Sequence, residues 1–157
     1  MGKSRDSFVA SALAAATLTL LSAGAITACS TKVSDESLRW LAAGDAQRRM
    51  ARNPNAILIL DSRSRDEFEA GHIPGARQMD LADVDPEEPD PSLKRYATIV
   101  VYGQDPGSVS AKTLAKKLLS AGLKGTQLLE GGFAAWKEQG LPVEVGAAAG
   151  NGGGVNP

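Results

Sequence analysis

Two short runs of this chain are apolar at nearly every position: Ala56-Ile57-Leu58-Ile59-Leu60 and Thr98-Ile99-Val100-Val101-Tyr102. A strand with one wet face alternates apolar and polar residues. Runs without alternation predict strands covered on both faces, as in a parallel sheet. Thr126–Leu129 predicts a third strand, and residues 77–79 a short extended piece. Helical spacing fills the intervals. Residues 109–121 place Leu114, Leu118 and Ala121 on one face and Lys112, Lys116 and Lys117 on the other, with Ser108 as cap and Gly122 as stop. Arg65–Ala70 predicts one or two helical turns closed by Gly71, and 72–76 a turn. After Gly131-Gly132 a helix carries Phe133 and Trp136 and stops at Gly140, ahead of Pro142.

Nearer the start, Ser34-Asp35-Glu36-Ser37 predicts a capped helix with Leu38, Leu41 and Ala42 on one face. Gly44-Asp45 is expected to interrupt it, before a second helical piece reaching Arg52 and a turn at Asn53-Pro54-Asn55. Residues 80–92 hold Asp80, Asp83, Asp85, Glu87, Glu88 and Asp90. Three prolines and the lack of a turn glycine favour a solvated, stiffened loop over a calcium loop. Strands alternating with helices predict an α/β sandwich on a mostly parallel sheet.

The N-terminal segment differs. Lys3 and Arg5 precede an uncharged stretch from Val9 to the residue before Lys32, and the chain's one cysteine, Cys29, lies at its end. A positive end, an apolar stretch and small residues before a cut site describe a secretory signal. Ile26-Thr27-Ala28-Cys29 resembles the bacterial lipobox, with Ile in place of the commoner Leu. That resemblance implies a signal peptide over 1–28, a lipid on Cys29 as the new N-terminus, and a tether over 29–34. An uncleaved anchor and an ordinary secretory signal are the alternatives; the latter leaves an unpaired thiol in an oxidising compartment. Ser30, rather than Asp, after the lipidated residue implies the outer membrane where there are two.

Of 17 Lys and Arg and 18 Asp and Glu, the leader removes Lys3, Arg5 and Asp6, leaving a net charge of −2. With no basic cluster, nucleic acid is not an expected partner. No P-loop, GxGxxG, HExxH or paired-cysteine motif is present, so neither metal nor cofactor is expected. Residues 35–145 form the expected single domain, and 146–157 a disordered Gly/Ala-rich tail.

Ile59-Leu60-Asp61-Ser62-Arg63, Asp66-Glu67-Phe68 and Gly71-His72-Ile73-Pro74-Gly75-Ala76 closely resemble the first half of a rhodanese domain. Ile99–Tyr102, the helix after it, Leu129-Glu130-Gly131-Gly132-Phe133-Ala134-Ala135-Trp136 and Gly140-Leu141-Pro142-Val143 resemble the second. The resemblance implies a doubly wound, mostly parallel sheet of about five strands with helices on both faces. It also implies that Asp61, Arg63, His72, Pro74 and Gly75 are structural, with His72 bracing a turn at the sheet edge.

In active rhodaneses a cysteine opens the loop after the second long strand and carries a persulfide. Backbone N–H groups and a helix N-terminus steady that anion. Here the loop reads Gly103-Gln104-Asp105-Pro106-Gly107-Ser108. Gly103 stands where the resemblance places the cysteine. The loop has no arginine, Asp105 brings negative charge, Pro106 removes a donor, and the spacing to the helix is about one residue longer. Ser108 or Ser110 would need a base, and His72 is the only histidine. A degenerate, lipid-tethered binding, scaffolding or regulatory domain with an envelope protein partner is the expected function. A working sulfurtransferase and a small-oxyanion binder at the loop are the alternatives. A phosphatase fails for the same missing nucleophile.

Overall fold

The computed structural model describes residues 33–146. The expectations for the leader, for Cys29 and for residues 147–157 lie outside them. Five strands form one sheet: β1 (Trp40–Leu41), β2 (Ile57–Asp61), β3 (Arg77–Gln78), β4 (Thr98–Tyr102) and β5 (Thr126–Leu129). Their order is β1-β5-β4-β2-β3, and every pairing is parallel. The helices are α1 (Ala43–Arg52), α2 (Arg65–Ala70), α3 (Val109–Ser120) and α4 (Gly132–Glu138).

Successive strand residues point to opposite faces, and the core divides accordingly. Ile57, Ile59, Val100, Tyr102 and Leu129 pack with Ala43 and Ala46 of α1, Phe68 of α2, and Phe133 and Trp136 of α4. Leu58, Leu60, Ile99, Val101 and Leu128 pack with Ala111, Leu114, Ala115 and Leu118 of α3. One face is therefore covered by α1, α2 and α4, and the other by α3 together with Val84 and Leu93. Burial on both faces is why β2 and β4 have no polar alternation.

Two expectations near the start are corrected. Asp35–Ser37 is a single 3-10 turn, and Leu41 belongs to β1 rather than to a helix. The N–H groups of Leu128 and Glu130 donate to the carbonyls of Arg39 (2.8 Å) and Leu41 (2.9 Å). Pairing with β5 thus outweighs local helix propensity. Gly44 does not interrupt a helix; it lies in the first turn of α1, where a glycine is tolerated at a cost of about 1 kcal/mol.

The acidic stretch 80–92 is partly ordered. It contains a 3-10 turn at Leu81–Asp83, and a second turn, Pro91–Arg95, follows and buries Leu93. Helix α2 has the entry its sequence calls for. Ser64 Oγ accepts from the Glu67 N–H (3.4 Å), and the Glu67 carboxylate accepts from the Ser64 N–H (3.0 Å). This capping box fixes the chain direction just after Arg63.

Candidate functional site

Parallel strands place the loops following β2, β4 and β5 at one end of the sheet. Helix α2, after β2, covers one face, and α3, after β4, covers the other. The crevice between the ends of β2 and β4 is thus a topological switch point, where open α/β sheets bind ligands. Arg63 and Gln104 meet there, Arg63 Nη1 donating to Gln104 Oε1 at 3.2 Å. A cleft of about 270 Å³ opens beside them, bounded by Arg63, Glu67, Gln104, Phe133 and Lys137.

Arg63 is held on several sides. Its Nε and Nη2 donate to the Asp61 carboxylate at 3.0 and 2.6 Å, and Nη2 also reaches the Gly71 carbonyl at 2.7 Å. Its guanidinium lies 4.0 Å from the centre of the Phe133 ring. Burial alone would lower its pKa, but the hydrogen bonds and charge of Asp61 outweigh that, and the net shift is upward. Tyr102 lies alongside. Its hydroxyl accepts from the Ile73 N–H at 3.3 Å, and burial, then the charge of Asp61, push its pKa well above the ordinary phenol range.

The loop after β4 turns its hydrogen bonds inward. Asp105 Oδ1 accepts from the Gly107 N–H (2.7 Å), Ser108 Oγ from the Asp105 N–H (3.2 Å), and the Asp105 carbonyl from the Ser108 N–H (3.2 Å). Three N–H groups that an anion cradle would use are satisfied by the loop's own oxygens. One expectation changes: Ser108 stands at the N-cap position of α3 but makes no side-chain capping bond. Asp105 keeps its carboxylate in the loop, with Oδ1 on the Gly107 N–H.

Gly103 is buried, and a Cβ built on it would lie 2.3 Å from Ser108 Cβ and 2.4 Å from Ser108 Oγ. The Ser108 side chain therefore fills the space that a residue larger than glycine would need. From the other side, the Gly103 and Gln104 carbonyls accept from the N–H groups of Phe133 and Ala134, each at 2.9 Å. Gly132 permits this approach. It has φ +62, and a Cβ there would fall 2.8 Å from the Gly103 carbonyl oxygen.

His72 belongs to a different part of the structure. Its backbone pairs with Glu144, its Nδ1 bonds the Phe68 carbonyl at 2.9 Å, and its ring stacks on Phe68. The Pro74-Gly75 turn follows, with Gly75 at φ +71 and its N–H on Glu144 Oε2 (3.2 Å). Ser110 Oγ is 3.1 Å from Ser62 Oγ. Neither Ser108 nor Ser110 is given a base by these contacts. The sequence reading missed Lys137 and Glu67 as cleft residues. Lys137 stands one turn after Phe133, so helical spacing carried that signal.

The architecture is a doubly wound, parallel α/β domain, and comparison with known proteins gives its family. Residues 42–139 match the family model of the rhodanese-like domain, and the chain belongs to that family. The thiosulfate sulfurtransferase YnjE of Escherichia coli is 36% identical over 89 residues, covering 48% of this chain and 20% of that protein. An uncharacterized protein of Synechocystis is 36% identical over 93 residues, covering 59% of this chain and 49% of that protein. The chain thus spans at most about half the length of these curated relatives. The solved rhodanese-like domain of an Anabaena protein aligns with TM-score 0.54 and 31% identity, over 75% of this chain and 88% of that one. A Rhodopseudomonas palustris structure described as a possible tyrosine phosphatase aligns with TM-score 0.60 and 28% identity, over 69% and 86%.

Proposed function

We propose that this rhodanese-like domain does not transfer sulfur and instead serves as a binding or scaffolding module. On this reading it is held at a bacterial envelope membrane by a lipid on Cys29, and it engages an envelope protein. The observation that carries the reading is Ser108 packed over Gly103. The sequence offers no thiol at that point, and the space for one is filled. The self-satisfied N–H groups of the loop add to it, because a persulfide anion would find few free donors there. Cys29, the only sulfur nucleophile in the chain, would be acylated and so have no thiol to offer. The name of the Escherichia coli relative keeps sulfur transfer as the rival reading.

An assay of the purified full chain with thiosulfate and cyanide separates the two. We expect no thiocyanate above buffer, and enzyme-dependent formation would overturn the proposal. Mass spectrometry of the membrane fraction tests the anchor. Diacylglyceryl-modified Cys29 at the mature N-terminus is expected, while a free thiol or a retained Met1 would refute it.

A further inference from the structure

A larger cleft lies at the opposite end of β2. It has a volume of about 640 Å³ and is bounded by Asn55, Ile57, Ala76, Arg77, Arg95 and Tyr96 among others. The short β3 leaves this opening. Its two residues pair only with Leu60 and Asp61, so the sheet margin beside Ile57 has no strand across from it. The turn Pro91–Arg95 places Arg95 and Tyr96 at the cleft.

The arginines are the unusual feature. Nε and Nη2 of Arg77 are both shielded from solvent, yet neither meets an acceptor. These two atoms form the edge of a guanidinium that matches the two oxygens of a carboxylate or phosphoryl group. Arg63 shows the same edge filled, its Nε and Nη2 lying on Asp61. Leaving such donors unpaired is costly. Arg95 adds a second charge. Its guanidinium lies 4.8 Å from the Tyr96 ring centre, and that of Arg77 lies 6.0 Å from the same centre.

Nearby carboxylates only partly offset the pair. Among the described residues, Arg77 and Arg95 form no ion pair. Asp90 is held below the usual carboxylate range by Ser92 hydrogen bonds first, with the Arg77 and Arg95 charges contributing. Both its oxygens are occupied by Ser92, at 2.8 and 2.7 Å. Glu144 also lines the cleft, but its Oε2 accepts from the Gly75 N–H and lies 3.6 Å from His72 Nε2.

We propose that this cleft binds the oxyanion group of a small molecule, carboxylate or phosphoryl, with Arg95 at its exposed rim and Arg77 turning its covered, unpaired Nε–Nη2 edge toward the ligand as it enters. The site is separate from the loop after β4, and its existence does not depend on whether that loop performs chemistry.

Amide shifts of the ¹⁵N-labelled full chain, titrated with inorganic phosphate, sulfate or acetate at constant ionic strength, test the proposal. Saturable shifts at Gly75, Arg77 and Tyr96 are expected with at least one of the three. Acetate against phosphate separates a carboxylate ligand from a tetrahedral one. Arg77→Lys keeps the charge but not the paired donors and should weaken binding about tenfold. Arg95→Gln, at an exposed position, should weaken it severalfold without disturbing the fold. Shifts that stay linear at tens of millimolar, that are unchanged in both variants, or that cluster at residues 103–108 would overturn the proposal.

Discussion

The Cβ of Ser108 lies 2.3 Å from the point where a Cβ on Gly103 would stand. Two unbonded carbons do not approach so closely, so the two positions cannot both carry side chains in this arrangement. Gly103→Cys should therefore destabilise the domain by about 1–3 kcal/mol, the usual cost of overpacking. It should also leave thiosulfate–cyanide activity at the buffer level. Adding Ser108→Gly should recover most of the stability. Urea unfolding of the single and double variants, beside the assay, gives both readings.

Asp61 and Arg63 are buried at 0% and 6% exposure and bonded to each other. Removing one partner strands the other charge. Asp61→Ala should cost about 3–5 kcal/mol, whereas replacing both residues with apolar ones of similar volume should cost much less. Arg63→Met should in addition free Gln104, since the Nη1 bond joins the two loops. Denaturant midpoints measure the first effect, and loss of amide-exchange protection in residues 103–105 the second.

Tyr102 supplies a prediction for alkaline solution. The folded protein holds the phenol proton more tightly than the unfolded chain, where tyrosine titrates near pH ~10. Stability from this group is complete below that pH and falls as the pH rises above it. Urea midpoints should begin to decline as the pH passes ~10 and keep falling above it, and Tyr102→Phe should flatten the decline. Tyrosinate absorbance gives a second check. Tyr102 should contribute to it only on unfolding.

The central strands were legible because they are buried on both faces. Thr98–Tyr102 and Thr126–Leu129 have the bounds their composition suggested. The edge was not. Trp40-Leu41 lies in a segment with helical spacing, and only the unpaired margin of β5 makes it a strand. At the loop, the missing thiol and arginine could be read from single residues. The packing of Ser108 on Gly103 and the bond from Arg63 to Gln104 could not, since each depends on how a loop folds rather than on which residues it contains. The cleft at Arg77 was equally hidden: it follows from how few residues of β3 pair with β2.

Both margins of the sheet are formed by strands of only two residues, β1 and β3. A membrane tether concentrates molecules in two dimensions, where neighbours meet edge to edge far more often than in free solution. Long bare edges would then recruit one another into extended sheets. If the proposed tether holds the chain on a bilayer, edges this short, with the rest of the β2 margin buried at Ile57, Leu58 and Ile59, offer few free backbone groups to seed such pairing, so the copies would stay separate with their helical faces open to other proteins.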